Sequence, residues 1–271
     1  MIEVAELRKH FVAGRGRKAK RVEAVRGVTF AAPNGVITGL VGPNGAGKTT
    51  TLRMIGTLVR PDSGWARVDG HDSVASALEV RRRLGVLSDA RGLYLRLTAR
   101  ENIRYYGRLR GMDDRSIDAT IERLARLIDM SDLLERRTEG FSQGERMKVA
   151  IARALVHDPQ NLVLDEPSNG LDIMSTRALR ELLRRLRDDG KCILMSSHIM
   201  QEVAALSERI VIIAHGQAVA SGTTAELMAQ AGATTLEDAF VTLAGEPITT
   251  VLPELGEGAP IEAPVRRGAF P

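Results

Sequence analysis

The sequence predicts an α/β fold built on a mainly parallel sheet with helices on both faces. Three observations carry that reading. Short apolar runs recur at 36–41, 162–164, 192–195 and 210–214. Each is apolar enough to suit a strand buried on both faces. Between them lie segments of helical period, such as Leu52, Ile55, Leu58 and Val59, and strand–helix alternation of this kind builds parallel sheets.

Taken in order, residues 1–12 read as a strand, 14–21 as a basic loop and 25–31 as a second strand. The apolar run 36–41 is the third. The helix that follows Lys48 stops at Pro61-Asp62-Ser63-Gly64, and 65–70 reads as a strand and turn. Residues from about 76 to 140 are polar and helix-rich, an insertion in the alternation. Within it, Thr98 and Glu101 form a capping box, and Ile117, Ile121, Leu124, Leu127 and Ile128 mark a buried stripe. Helices are also expected at 143–155, ended by Pro159, at 179–186 and at 200–206. From Glu246 the chain is rich in Pro, Gly and Glu without periodicity, which reads as a poorly ordered tail. The expected organisation is one domain over 1–245, with its helical part near 90–155, and a tail over 246–271.

The chain has 271 residues, 44% hydrophobic and 27% charged, enough for a substantial core. Its net charge of +4 is small and does not by itself point to nucleic acid. One cysteine, Cys192, cannot form an internal disulfide, which fits a reducing compartment. No apolar run approaches the roughly 20 residues that span a bilayer, and 1–4 does not open a secretory signal. A soluble chain is expected, with any membrane-spanning part on another polypeptide.

The chemistry starts at Gly42-Pro43-Asn44-Gly45-Ala46-Gly47-Lys48-Thr49. This fits the phosphate-loop pattern, in which glycines let backbone N–H groups approach phosphate oxygens. The helix behind it presents its positive end to the same anions. Lys48 would reach the β- and γ-phosphates, and Thr49 would ligate Mg²⁺. A plain glycine-rich turn is the alternative, but a buried strand before it and a helix after it supply the context the pattern needs. Asp165 and Glu166 end the apolar run 162–164. Strand ends are where α/β sheets bind ligands, so Asp165 would lie beside the metal and Glu166 could polarise an attacking water. Solvated acids at a strand end are the bland alternative, which the nearby phosphate loop disfavours. His198 follows the run 192–195 and would face the same crevice. A lone histidine is more often structural, and its position at a third strand end is what raises its standing.

Phe141-Ser142-Gln143-Gly144-Glu145 lies shortly before Asp165 and resembles the signature sequence of ABC ATPases, usually written LSGGQ. The order of motifs is similar to that family over roughly residues 2–245: phosphate loop, helical insertion, signature, Asp165-Glu166, then Ser168-Asn169-Gly170-Leu171-Asp172, then His198. The resemblance implies a P-loop NTPase (RecA-like) core, an N-terminal antiparallel β subdomain and an inserted α-helical subdomain. It implies ATP and Mg²⁺ as cofactors, held by residues 42–49 with Thr50. It further implies a head-to-tail dimer in which Ser142, Gln143, Gly144 and Glu145 of one copy close over the ATP of the other. Asp172 would link the two sites, and His198 would sense the γ-phosphate. Phe11 falls where the family places an aromatic against adenine, with an ordinary core phenylalanine as the alternative. The signature departs from the pattern as Ser-Gln-Gly-Glu. Asp89 stands where the family usually carries a glutamine that touches Mg²⁺ or water and relays to the membrane partner; an aspartate can also ligate Mg²⁺, with added charge and a shorter reach, so Asp89 joins Thr49 and Asp165 as a metal candidate. Gly92-Leu93-Tyr94, Leu97 to Asn102, the segment 197–203 and 235–240 look most like bacterial exporters of the sodium-efflux type.

The function implied is the motor of an ABC exporter, peripheral on the inner face of the cell membrane, with separate membrane subunits as partners. A soluble ABC protein acting on ribosomes or DNA is the alternative. This chain has one cassette and no long heptad run, and its basic loop keeps that reading open. A small-molecule kinase needs neither the signature nor His198.

Overall fold

The computed structural model describes residues 1–13, 20–88 and 92–245. Most of the basic stretch expected at 14–21, Asp89, and the tail from 246 lie outside the described residues.

The chain opens with β1 (Ile2–Ala13), β2 (Lys20–Ala32), β3 (Ile37–Val41), α1 (Lys48–Ile55), β4 (Ser63–Val68) and β5 (His71–Asp72). It continues through α2 (Ala77–Arg83), β6 (Leu84–Leu87), α3 (Ala99–Leu109), α4 (Asp114–Ile128), α5 (Gln143–Leu155), β7 (Asn161–Leu164) and α6 (Ile173–Asp188). The last elements are β8 (Cys192–Ser197), α7 (Met200–Leu206), β9 (Arg209–Ala214), β10 (Gln217–Gly222), α8 (Thr224–Ala231) and α9 (Leu236–Ala244). Two sheets result. An antiparallel one runs β2-β1-β4-β5, and a six-stranded one runs β10-β9-β3-β8-β7-β6. In the second sheet, β9, β3, β8, β7 and β6 are parallel, and only β10 is antiparallel. The α/β class with its mainly parallel sheet, antiparallel β portion and inserted helices is as expected.

Strand β3 shows why the sheet is central. All five of its residues are buried, and successive side chains leave on opposite faces. Ile37 joins a core formed with α3–α6, Leu40 a core shared with α1 and the antiparallel sheet, and Val41 a third with α7–α9. In the helical insertion, Thr98 accepts from Glu101 N (3.1 Å) while Glu101 Oε2 accepts from Thr98 N (2.8 Å), the capping box expected there. The stripe on α4 is buried at Ile117, Ile121, Leu124 and Ile128, with Leu127 half-buried.

Three details differ from the sequence reading. Lys20 and Arg21 belong to β2, because the hairpin ladder continues through Val12↔Arg21 and Ala13↔Lys20. The span 76–140 is not all helix and loop: β6 lies in it and pairs in parallel with β7, from Leu84↔Asn161 to Leu87↔Leu164. Four residues wedged after a helix carry too little periodicity to show a strand. Finally, β10 folds back on β9 through His215 and Gly216, at φ 51° and 79°, the positive pair that a two-residue hairpin turn needs.

His157, just beyond α5, lies with Nε2 3.3 Å from Leu84 O, while its Nδ1 is buried without a partner among the described residues. Burial, helped by the Arg110 charge, pushes its pKa from the ordinary value of about 6.5 down to about 4. Between those values the unfolded chain binds the proton and the folded chain does not. Stability is therefore full above about pH 6.5 and is lost as the pH falls toward 4, by on the order of 3 kcal/mol. Urea unfolding at pH 7 and pH 5 is expected to show a smaller acid loss in His157→Gln than in the wild type.

Candidate nucleotide site

The phosphate loop leaves the end of β3 and enters α1 at Lys48. Gly47 stands at φ 106°, and among the described residues no side chain caps the helix start. The first-turn N–H groups of α1 are thus open to an anion. The loop is braced from behind, where Gly216 N donates to Ala46 O at 3.1 Å. The Lys48 side chain is buried. Its Nζ donates to Gly42 O at 2.6 Å and Pro43 O at 3.1 Å, and lies 3.8 Å from Glu166 Oε1. Burial pulls the Lys48 pKa below its ordinary value, and the Glu166 and Asp165 carboxylates oppose that pull.

Asp165 and Glu166 follow β7 directly. Asp165 is buried. Its Oδ1 accepts from Thr49 Oγ1 at 3.2 Å and from Ser196 Oγ at 2.7 Å. Its amide donates to Leu87 O of β6 at 2.8 Å. Glu166 sits at φ 47°, a left-handed conformation costing a non-glycine residue about 1–2 kcal/mol. On its other side Glu166 Oε2 meets His198 Nδ1 at 2.8 Å.

A cleft of about 580 Å³ is lined by Phe11, Ala24, residues 44–50, Glu166, Asn169 and His198, a size suited to a small-molecule ligand. Phe11 is 43% exposed, so it is no core residue, and Lys9 Nζ lies 5.7 Å from its ring centre. The hydroxyl of Thr49 beside the carboxylate of Asp165 is a hard-oxygen pair that fits Mg²⁺. Among the described residues no group of three or more His, Cys, Asp or Glu could hold a metal.

The signature residues lie elsewhere. Residues 142–145 do not line the cleft; Gln143 packs on the loop before α6 and Gly144 on the first turn of α6. A Cβ on Gly170 would meet Gln143 Oε1 at 2.1 Å, and one on Gly144 would meet Ser175 Oγ at 2.6 Å. Asp172 caps α6 through Ser175 N at 2.8 Å. Glu145 has a local role that a glutamine could also fill. Ser142 N donates to Glu145 Oε2 (2.7 Å) and Glu145 N to Ser142 Oγ (3.2 Å), a second capping box. Its spacing, Ser-x-x-Glu, was visible in the sequence.

Sequence reasoning missed Ser196 as a contact of both acids, and Asn169 and Ala24 as cleft residues. Ser196 carries one faint signal: it is the first hydroxyl after the apolar run 192–195.

A glycine-lined anion loop at a helix start, with an Asp-Glu pair just past the end of a parallel strand one place removed in the same sheet, defines a P-loop nucleoside triphosphatase. Sequence comparison narrows the class. The family profile described as ABC transporter matches residues 25–169. The ABC transporter ATP-binding protein NatA of Bacillus subtilis (strain 168) is 48% identical over 206 residues, covering 76% of this chain and 84% of that protein. The daunorubicin/doxorubicin resistance ATP-binding protein DrrA of Streptomyces peucetius is 40% identical over 216 residues, covering 79% of this chain and 64% of that one. A solved ATP-binding subunit of an ABC transporter superposes with a TM-score of 0.77 at 28% identity, covering 89% of this chain and 98% of that chain. The chain belongs to the ABC transporter family and is one of its ATP-binding, ATP-hydrolysing proteins.

The loop geometry makes a paired prediction. A Cβ at Gly47 would lie 2.4 Å from Ala24 O, whereas at Gly45 (φ 81°) it would meet nothing within 4 Å among the described residues. Gly47→Ala is expected to lose about 2–4 kcal/mol, from left-handed strain together with the clash, and to weaken ATP binding at least about tenfold. Gly45→Ala should lose only about 1–2 kcal/mol. Denaturant melts and nucleotide titration check both.

Proposed function

We propose that this chain is the motor subunit of an exporter and that it works head-to-tail with a second copy of itself. The observation that supports this most directly is a mismatch. The cleft holds the phosphate loop, Glu166 and His198, yet none of residues 142–145 lines it. A second copy supplying Ser142 and the α5 N-terminus would complete the site. Ser142 Oγ accepts from its own capping box, which leaves its hydroxyl proton free to donate to a γ-phosphate oxygen.

In this reading the glycine loop and Lys48 bind the phosphates, and Phe11 meets the base. Thr49 and Asp165 hold Mg²⁺, which would supply charge neutralisation at the β- and γ-phosphates. Glu166 polarises a water whose oxygen bonds to the γ-phosphorus as the bond to the bridging oxygen breaks, releasing ADP and phosphate. His198 holds the Glu166 carboxylate from its far side. Closure on ATP and reopening after hydrolysis would drive the transporter.

The membrane subunits would dock beside α3. Tyr94, Leu95, Tyr105 and Leu109 are exposed there, and Tyr94 meets Tyr105 edge-on at 5.2 Å. An exposed apolar cluster of this kind suits a protein contact. No helix among the described residues is long and apolar enough to cross a membrane, so the spanning helices would belong to those subunits, with this chain at the inner face of the cell membrane. The resistance named in the Streptomyces relative is what outward pumping would give.

Two outcomes are expected. ATPase activity per milligram should rise with protein concentration in the dilute range; constant specific activity from a species shown to stay monomeric would sink the two-copy reading. Glu166→Gln should keep ATP binding while turnover falls at least about a hundredfold, measured as phosphate release.

A further inference from the structure

The backbone ladder between β7 and β8 ends at Leu164↔Met195. The next residues are Asp165, just past β7, and Ser196 in β8, and there a side chain takes over from the backbone. Ser196 is wholly buried. Its Oγ accepts the Glu166 amide at 2.9 Å and donates to Asp165 Oδ1 at 2.7 Å. The direction of both bonds is forced. An ionised carboxylate can only accept, so the single hydroxyl proton goes to Asp165 and a lone pair is left for the amide. An apolar side chain could fill the same volume but could make neither bond.

Two residues on, just past the end of β8, His198 meets the Glu166 carboxylate. Glu166 is therefore gripped at both ends by one strand terminus: its backbone by Ser196 and its side chain by His198. The grip matters because Glu166 is at φ 47°, a conformation that persists only where its surroundings hold it. Asp165 is constrained by the same atom. With Oδ1 already accepting from Thr49 and Ser196, its remaining capacity for a cation lies chiefly on Oδ2.

We propose that Ser196 is a positioning residue for hydrolysis, joining the acid that faces the metal to the acid that faces the water through one hydroxyl oxygen. The inference rests on the reading of Asp165 and Glu166 given above.

The test compares full-length wild type, Ser196→Ala, Ser196→Thr and Glu166→Gln. Phosphate release gives kcat and KM. Trinitrophenyl-ATP titration with and without Mg²⁺ gives the metal-dependent gain in affinity without turnover. Ser196→Ala is expected to lower kcat about ten- to a hundredfold, as loss of an outer-shell partner does. Its KM for ATP and metal-free affinity should stay within about twofold, and its Mg²⁺-dependent gain should shrink at least about threefold. Ser196→Thr, which keeps the hydroxyl, should recover most of both. Three results would overturn the proposal: kcat and metal gain in Ser196→Ala both near wild type, metal-free affinity falling in step with kcat, or Ser196→Thr as impaired as Ser196→Ala. If Glu166→Gln falls to background while Ser196→Ala does not change, the inference about Ser196 fails alone. If Glu166→Gln turns over at the wild-type rate, the base assignment beneath it fails.

Discussion

One carboxylate oxygen ties the nucleotide site to the sheet. Asp165 Oδ1 accepts from Thr49 at the start of α1 and from Ser196 in β8, while the Asp165 amide reaches Leu87 of β6. Four elements thus meet at one buried residue. A buried carboxylate without partners is costly, and the compensation here is two hydroxyls with the Lys48 ammonium nearby. Because that oxygen can only accept, the donors around it have fixed directions, and those directions set how α1 sits over the strand ends. Packing alone could not do this, since apolar contacts are not directional.

The sheet beneath makes that junction rigid. Strand β3 is paired on both edges, to β8 and β9, and contributes to three separate cores. The loop that follows is different: Asn44 and Gly45 are exposed. A stiff strand thus carries an open anion loop, and the antiparallel β9–β10 hairpin braces it from behind through Gly216. Loops carried on rigid strands in this way commonly bear binding residues.

What was legible in the sequence follows from the range of each interaction. The phosphate loop is a local object, with its glycines, lysine and hydroxyl within eight positions, so spacing alone exposed it. The capping box at Thr98 is local in the same way. The α/β class was legible because burial on both faces leaves apolar runs such as 162–164 and 192–195. Strand β6 was not, since its partner β7 lies more than seventy residues on and four residues cannot show a period. Nor was β10, whose Ala218, Ala220 and Gly222 give no apolar alternation. Ser196 was hidden for a third reason. A hydroxyl after an apolar run acquires meaning only when the fold places Asp165 beside it.

The signature segment shows how one departure from a family pattern is absorbed. Glu145 stands where glutamine is usual, and an ionised carboxylate has no hydrogen to donate to a phosphate. Its observed role is instead to hold the Ser142 amide. Its charge would oppose an arriving phosphate at the α5 N-terminus, but Arg136 lies 2.9 Å away. That pair is partly exposed, so its own contribution to stability is small, about 0–1 kcal/mol. The larger consequence is local charge, since the Arg136 cation offsets the glutamate charge at the helix start. The Ser142 hydroxyl and the first turn of α5 then remain the groups able to meet an anion, and both belong to the face that does not reach its own chain's cleft.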